Sequence, residues 1–205
     1  GGKWYADLGT PKSGGTKLFS ISGHVAKPGV YEITMGSPWP ELFNDLAGGM
    51  KDGKKFKALI PGGSSTPLLK PGELDGMTMD YESIQSKGSM LGSGAVIVLD
   101  ETTDMVKLLY RILHFYAHES CGQCTPCREG TGWLERILYR FVRNEGRKED
   151  IDLLMDVANN IEGNTICALG DAAAWPVQSM IRRFKDEFEK RLAPTREPAK
   201  EEMPV

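Results

Sequence analysis

Three cysteines crowded into seven residues constrain this chain more than any other feature. They stand in Cys121-Gly122-Gln123-Cys124-Thr125-Pro126-Cys127, and the only other cysteine, Cys167, follows forty positions later. Three thiols spaced by two residues can converge on one side of a cube-shaped cluster, and the fourth corner must be held from elsewhere. That is the ligand set of a [4Fe-4S] cluster on four cysteine thiolates. In the two-cluster ferredoxin run a further cysteine follows shortly after the third. None does here, so one cluster with a remote fourth ligand is the simplest count. Structural zinc is the alternative. Four-cysteine zinc sites usually join two CxxC knuckles, and Cys167 has no cysteine two or three residues away. Disulfide pairing fits least, since clustered cysteines in an otherwise cysteine-free chain read as ligands in a reducing compartment.

The flanking sequence fits an anionic group. Cys121, Cys124 and Cys127 are expected just ahead of one helix and Cys167 just ahead of another. Helix N-termini carry partial positive charge and free N–H groups. Gly122 and Gly170 would let backbone approach closely. Arg128 reads either as a cation beside the cluster or as a solvated residue at a helix start. His114 and His118 share the i, i+4 spacing of a chelating pair, but the Glu of H-E-x-x-H is missing. With four thiols available, packing or hydrogen bonding is their expected role. His24 reads as a surface strand residue. Pro61-Gly62-Gly63-Ser64-Ser65 lacks the Gly-Lys-Ser/Thr ending of a P-loop and reads as a turn. No Ser/His/Asp triad or isolated carboxylate pair stands out, so nothing points to hydrolysis.

Composition narrows the class. The chain has 205 residues, 40% hydrophobic and 26% charged, with a formal net charge of -3. This excludes a disordered or fibrous chain, and the length admits two small domains or one large one. No basic patch supports nucleic-acid binding. The longest apolar run, Ala95 to Leu99, is far below the roughly 20 residues of a membrane helix, so direct membrane insertion is not expected. No signal or transit peptide is visible.

Periodicity divides the chain. Residues 1–15 lack it and read as a linker or the remnant of a preceding domain. Phe19, Ile21 and Val25 keep a period of two, and Lys27-Pro28-Gly29 is a turn signal. Residues 17–34 therefore predict a hairpin. Ser37 is expected to cap a short helix carrying Leu42, Phe43 and Leu46, ended by Gly48-Gly49. Lys57–Ile60 and Ala95–Leu99 predict strands, with 66–94 irregular between them. Strands around one short helix make an α+β domain over 16–100. Residues 101–192 predict four amphipathic helices, an antiparallel four-helix bundle. Thr103 or Asp104 is expected to cap the first, the second to follow Cys127, and Asp171 to cap the fourth. The Met and aromatic stripes are read as core, and the charges from Lys185 to Arg191 as a solvated face. The tail, 193–205, is charged and rich in proline, and is expected to be disordered.

Glu119-Ser120-Cys121-Gly122-Gln123-Cys124-Thr125-Pro126-Cys127-Arg128-Glu129-Gly130 resembles the flavoprotein subunits of respiratory complex I, the 51 kDa family of NADH-quinone oxidoreductases. The likeness continues at Ile166-Cys167-Ala168-Leu169-Gly170-Asp171-Ala172-Ala173, the family's fourth-ligand segment. Upstream, Gly15-Thr16-Lys17-Leu18-Phe19-Ser20-Ile21-Ser22-Gly23 and Pro28-Gly29-Val30-Tyr31-Glu32 resemble its soluble-ligand-binding β-grasp (SLBB) domain, a ubiquitin-like fold. The resemblance implies a β-grasp domain followed by a helical bundle carrying the cluster on Cys121, Cys124, Cys127 and Cys167. It implies electron relay: NADH reduces FMN, and single electrons pass through the cluster to clusters in partner subunits, the 24 kDa-type and the large iron–sulfur subunit. The family's FMN and NADH motif, of the Gly-Arg-Gly-Gly-Ala-Gly-Phe type, is absent here. The chain therefore reads as the C-terminal half of such a subunit, its flavin domain supplied in cis or in trans. In a full subunit Ala168 and Leu169 would face the flavin. The expected location is the cytoplasm, or the cytoplasmic face of the inner membrane within a peripheral complex. The diaphorase subunits of NAD-linked hydrogenases and formate dehydrogenases carry the same features and form the first alternative. A zinc-stabilised interaction module and a β-grasp ligand-binding protein are the others.

Overall fold

A computed structural model describes residues 1–194. From position 195 onward the expected disordered tail lies outside the described residues.

The predicted hairpin forms. Strand β1 (Thr16–Gly23) pairs antiparallel with β2 (Gly29–Thr34), Phe19 opposite Tyr31. Phe19 and Ile21 are buried while Leu18 and Val30 stand exposed, as a period of two requires. Val25 lies beyond the strand, in an isolated bridge to Met50. Strands β3 (Phe56–Ile60) and β4 (Ala95–Asp100) pair antiparallel, and β4 runs parallel to β1. The sheet order is β2-β1-β4-β3. A parallel central pair needs a long crossover, and the chain between β1 and β4 supplies it.

That crossover departs from expectation in three places. Ser37 does not cap a helix. Residues 36–39 pair instead with 77–79, through Gly36 N–H to Met79 O, Met79 N–H to Ser37 O and Trp39 N–H to Met77 O. Held extended through Pro38, the chain turns helical only from Trp39 and continues in a π-helical turn at Glu41–Leu46. Gly48 and Gly49 end it at left-handed φ of 73° and 71°, as expected. The stretch 66–94 is less irregular than expected. It holds a 3-10 turn, Pro71–Glu73, and a helix, α2 (Tyr81–Ser86), capped by Asp80 through Ser83 N–H at 2.7 Å. Nor are residues 1–15 a free linker. They form α1 (Gly2–Ala6), and the Tyr5 hydroxyl donates to Thr16 O at 3.0 Å. Ser13, buried, donates to Glu82 at 2.8 Å.

Four helices follow: α3 (Met105–Glu119), α4 (Thr125–Val142), α5 (Asp150–Ile161) and α6 (Leu169–Glu189). Helix α3 packs on α4 and α6, and α5 packs on the same two. Leu109, Leu134, Phe141, Leu154, Val177 and Phe188 fill the space between them. Asp104, not Thr103, caps α3, accepting Lys107 N–H at 3.1 Å. The sheet meets these helices directly. Ala58, Ile60 and Leu99 join the helical core, whereas Leu59, Val96 and Val98 point into the second core with Phe19, Leu42 and Met79. Covered on both faces, β4 needs apolar residues throughout, which explains its unbroken run. The charged stretch near the end of α6 is only partly a solvated face. Glu187 pairs with Lys57 at 2.6 Å and Arg191 with Asp104 at 2.5 Å.

Asp100 ends β4 fully buried. Burial alone would raise its pKa. Thr102 N–H and Oγ at 2.9 and 2.7 Å, Lys54 Nζ at 3.2 Å and nearby His24 outweigh it and hold the carboxyl at about 2. His24 is therefore not a plain surface residue, since its Nδ1 lies 3.2 Å from the Asp100 nitrogen and 3.7 Å from the Asp100 carboxylate. The depressed value makes the Asp100 contribution complete above the ordinary carboxylate pKa, about 3.9. It is lost as pH falls from there through about 2. Stability measured across this window should fall less steeply in Asp100→Asn than in the wild type; equal slopes would contradict the assignment.

Candidate metal centre

The three clustered cysteines sit where α3 hands over to α4. Ser120, extended at φ -61° and ψ 121°, ends α3. Gly122 then turns the chain at φ 78°. A Cβ there would meet no protein atom closer than 3.7 Å, so what requires glycine within the chain is the left-handed backbone. Arg128 Nη1 donates to Gly122 O at 2.9 Å, and its Nε donates to Glu129 at 2.9 Å. Arg128 is exposed at the start of α4, as one of the two readings had it, and its guanidinium also ties the loop to the helix.

Helix α4 begins earlier than predicted, at Thr125 with Cys124 in the cap position. Pro126 falls in the first turn, where a missing N–H costs nothing. Cys127 is consequently inside the helix rather than ahead of it. It is buried, with Ser120 Oγ 3.2 Å from its sulfur and Thr131 Oγ donating to its carbonyl at 2.7 Å. Cys121 is exposed and Cys124 half-buried.

The other segment joins α5 to α6. Asp171 does not cap α6. Ala168 holds the cap position, and Asp171 Oδ1 accepts Gly163 N–H at 2.8 Å from inside the first turn. At Gly170 a Cβ would stand 2.4 Å from Thr165 Oγ, so glycine makes room for the Thr165 side chain. Cys167 and Ala168 are exposed. Leu169 packs partly against the helical core. The two segments meet: Ile166 N–H donates to Cys124 Sγ at 3.3 Å across 42 positions of sequence.

All four cysteines are free. Among the described residues no three His, Cys, Asp or Glu side chains converge tightly enough to grip a single ion. A cube makes a different demand, one sulfur for each iron. The donor chemistry suits that cluster: four thiols, an amide donating to one of them, and helix N-terminal amides alongside. The histidines are engaged elsewhere, His114 with Glu135 at 2.6 Å and His118 with Glu119 at 3.0 Å. One group behind the site gives no sign of itself in the sequence. Glu162 accepts hydrogen bonds from Gln178 and Trp175, which hold its carboxyl below the usual range. Separations of 16 and 13 positions leave no local signal.

Two family models match, in chain order. Residues 17–98 match the SLBB domain and residues 107–191 the NADH-ubiquinone oxidoreductase-F iron-sulfur binding region. The chain thus resembles an SLBB domain followed by an iron–sulfur binding region. The F subunit of NADH-quinone oxidoreductase from Rickettsia bellii (strain OSU 85-389) is 50% identical over 193 residues, covering 94% of this chain and 46% of the relative. Its counterpart in Rickettsia typhi is 52% identical over the same shares. One from Rhizobium meliloti is 49% identical, over 44% of its own length. This chain is similar to NADH-quinone oxidoreductase F subunits over 94% of its length, and spans about half the length of the curated relatives it matches. Among solved structures, an NAD+-reducing [NiFe]-hydrogenase in the H2-reduced state superposes with a TM-score of 0.82 at 30% identity, over 94% of this chain and 32% of the hydrogenase chain.

Proposed function

We propose that this chain is the electron-transfer part of the flavoprotein subunit of an NADH-quinone oxidoreductase, holding one [4Fe-4S] cluster on Cys121, Cys124, Cys127 and Cys167. The hydrogen bond from Ile166 N–H to Cys124 Sγ carries the proposal, because it brings the fourth-ligand segment against the first three. When bound, the cluster supplies one-electron chemistry, its potential set by hydrogen bonds to sulfur and by exposure.

The chain's own residues supply the setting. Helices α3–α6, read as an antiparallel bundle, give the four thiolates a rigid frame. The α4 N-terminus places partial positive charge beside three of them. Gly122 turns the ligand loop and Arg128 braces it. Burial of Cys127 shields one side from water, while exposed Cys121 and Cys167 leave the other open to a partner. By family likeness, FMN and NADH belong to a flavin domain in cis or in trans, with Ala168 and Leu169 facing it. The partners are the 24 kDa-type and large iron–sulfur subunits. Residues 16–100 and 101–192 then act as its two domains, after a short leading segment. The location proposed on the same likeness is the cytoplasm or the cytoplasmic face of the inner membrane, within a peripheral complex. No described helix is long and apolar enough to cross a membrane.

A second reading, the diaphorase subunit of an NAD-linked hydrogenase, draws on the superposition with the NAD+-reducing hydrogenase. Both readings require the same cluster. Anaerobic purification should yield a brown protein with about four irons per chain and an EPR signal on reduction. A colourless protein holding one zinc would overturn both.

A further inference from the structure

The loop carrying Cys167 is tied down at its start by residues outside the ligand set. Residues 162–168 join α5 to α6. Glu162 is the first residue past α5, and its carboxylate turns onto α6. Oε1 accepts the Trp175 indole N–H at 2.7 Å, and Oε2 accepts the Gln178 amide at 2.7 Å. Gln178, itself buried, also donates to Asn159 on α5 at 3.0 Å. The next residue, Gly163, is held to Asp171 at 2.8 Å, at φ 72°. With both anchored on α6, only residues 164–168 remain before α6 begins. Within that remainder Thr165 Oγ donates to Cys167 O at 2.9 Å, and Ile166 N–H reaches Cys124 Sγ.

We infer that Glu162 is a positioning residue for the fourth thiolate. Through Trp175 and Gln178 it holds the 162–168 loop where Cys167 and the Ile166 amide face the Cys124 segment. A charged acceptor bonded to two donors makes a strong latch. It sits where the chain leaves α5 for the ligand, so its loss should be felt at the cluster before the fold. The inference rests on the four-cysteine reading above.

The test compares anaerobically purified, cluster-bearing full chains: wild type, Glu162→Ala, Trp175→Phe and, as control, Asp150→Asn. The control weakens the Arg140–Asp150 pair at the far end of α5. Iron loss to a chelator and the EPR signal of the reduced protein are followed beside thermal melting. Groups supporting metal ligands typically account for roughly 10- to 100-fold in affinity. Glu162→Ala should therefore lose iron at least about tenfold faster, with an altered EPR signal. Trp175→Phe, which keeps an aromatic side chain and removes one donor, should fall between it and wild type, and it decides the matter alone if Glu162→Ala does not fold. Asp150→Asn should lower the melting temperature without faster iron loss. Wild-type rates in both latch variants, or a control that loses iron as fast as they do, would overturn the inference. If the wild type itself holds no iron, the cluster reading fails, a result visible before any variant is compared.

Discussion

Cys167→Ser, purified anaerobically, should retain little of the iron held by the wild type and should lack its EPR signal on reduction. Its thiol is exposed, and the residue is held through its carbonyl, which accepts from Thr165. Changing an exposed side chain typically shifts stability by about 0.5 kcal/mol or less, so the melting temperature of the iron-free protein should hardly move. Cluster loss without fold loss is the signature of a ligand. Retention of about four irons with an unchanged signal would assign the fourth corner to another group.

The second large effect is one of packing. Phe141 on α4 is fully buried, its ring 5.7 Å from that of Phe188 on α6 in an edge-to-face arrangement. It also fills the space beside Gly146, where a Cβ would stand 2.7 Å from it. Phe141→Ala leaves a cavity where α4, α6 and the 143–146 turn meet, and should cost about 3–5 kcal/mol. For a chain of this size that corresponds to a drop of about 10 °C in melting temperature. Ala58, Ile60 and Leu99 of the sheet share this core, so the strands should lose structure in the same transition. A shift of under about 2 °C, or separate melting of sheet and helices, would contradict the shared core.

The gap between these sites and the sequence has physical causes. The four candidate ligands were legible because thiolate chemistry demands a particular residue at a particular spacing. The hairpin and the four helices were legible because each buries one face, and burial writes a period of two or 3.6 into the chain. The helix starts misled where a local rule met a non-local competitor. Ser37 obeys every capping preference, yet its carbonyl is taken by Met79 N–H. Asp171 suits a cap, yet its carboxylate serves Gly163. The second helix was expected after Cys127, yet Pro126 suits a first helical turn and α4 starts at Thr125, drawing Cys127 into the helix. Helix α2, only Tyr81–Ser86, was too short for periodicity to register.

Sequence alone determined which atoms can bind a cluster, roughly where each element lies, and that a sheet precedes the helices. Each depends on one residue's chemistry or on neighbours within a turn or two. Only the tertiary structure decided that Ile166 lies against Cys124, that β4 is sandwiched between two cores, and that Glu162 latches the ligand loop to α6. These pairings join residues far apart along the chain. What sets them is the shape left once the apolar faces have closed on one another, and no local pattern records that shape.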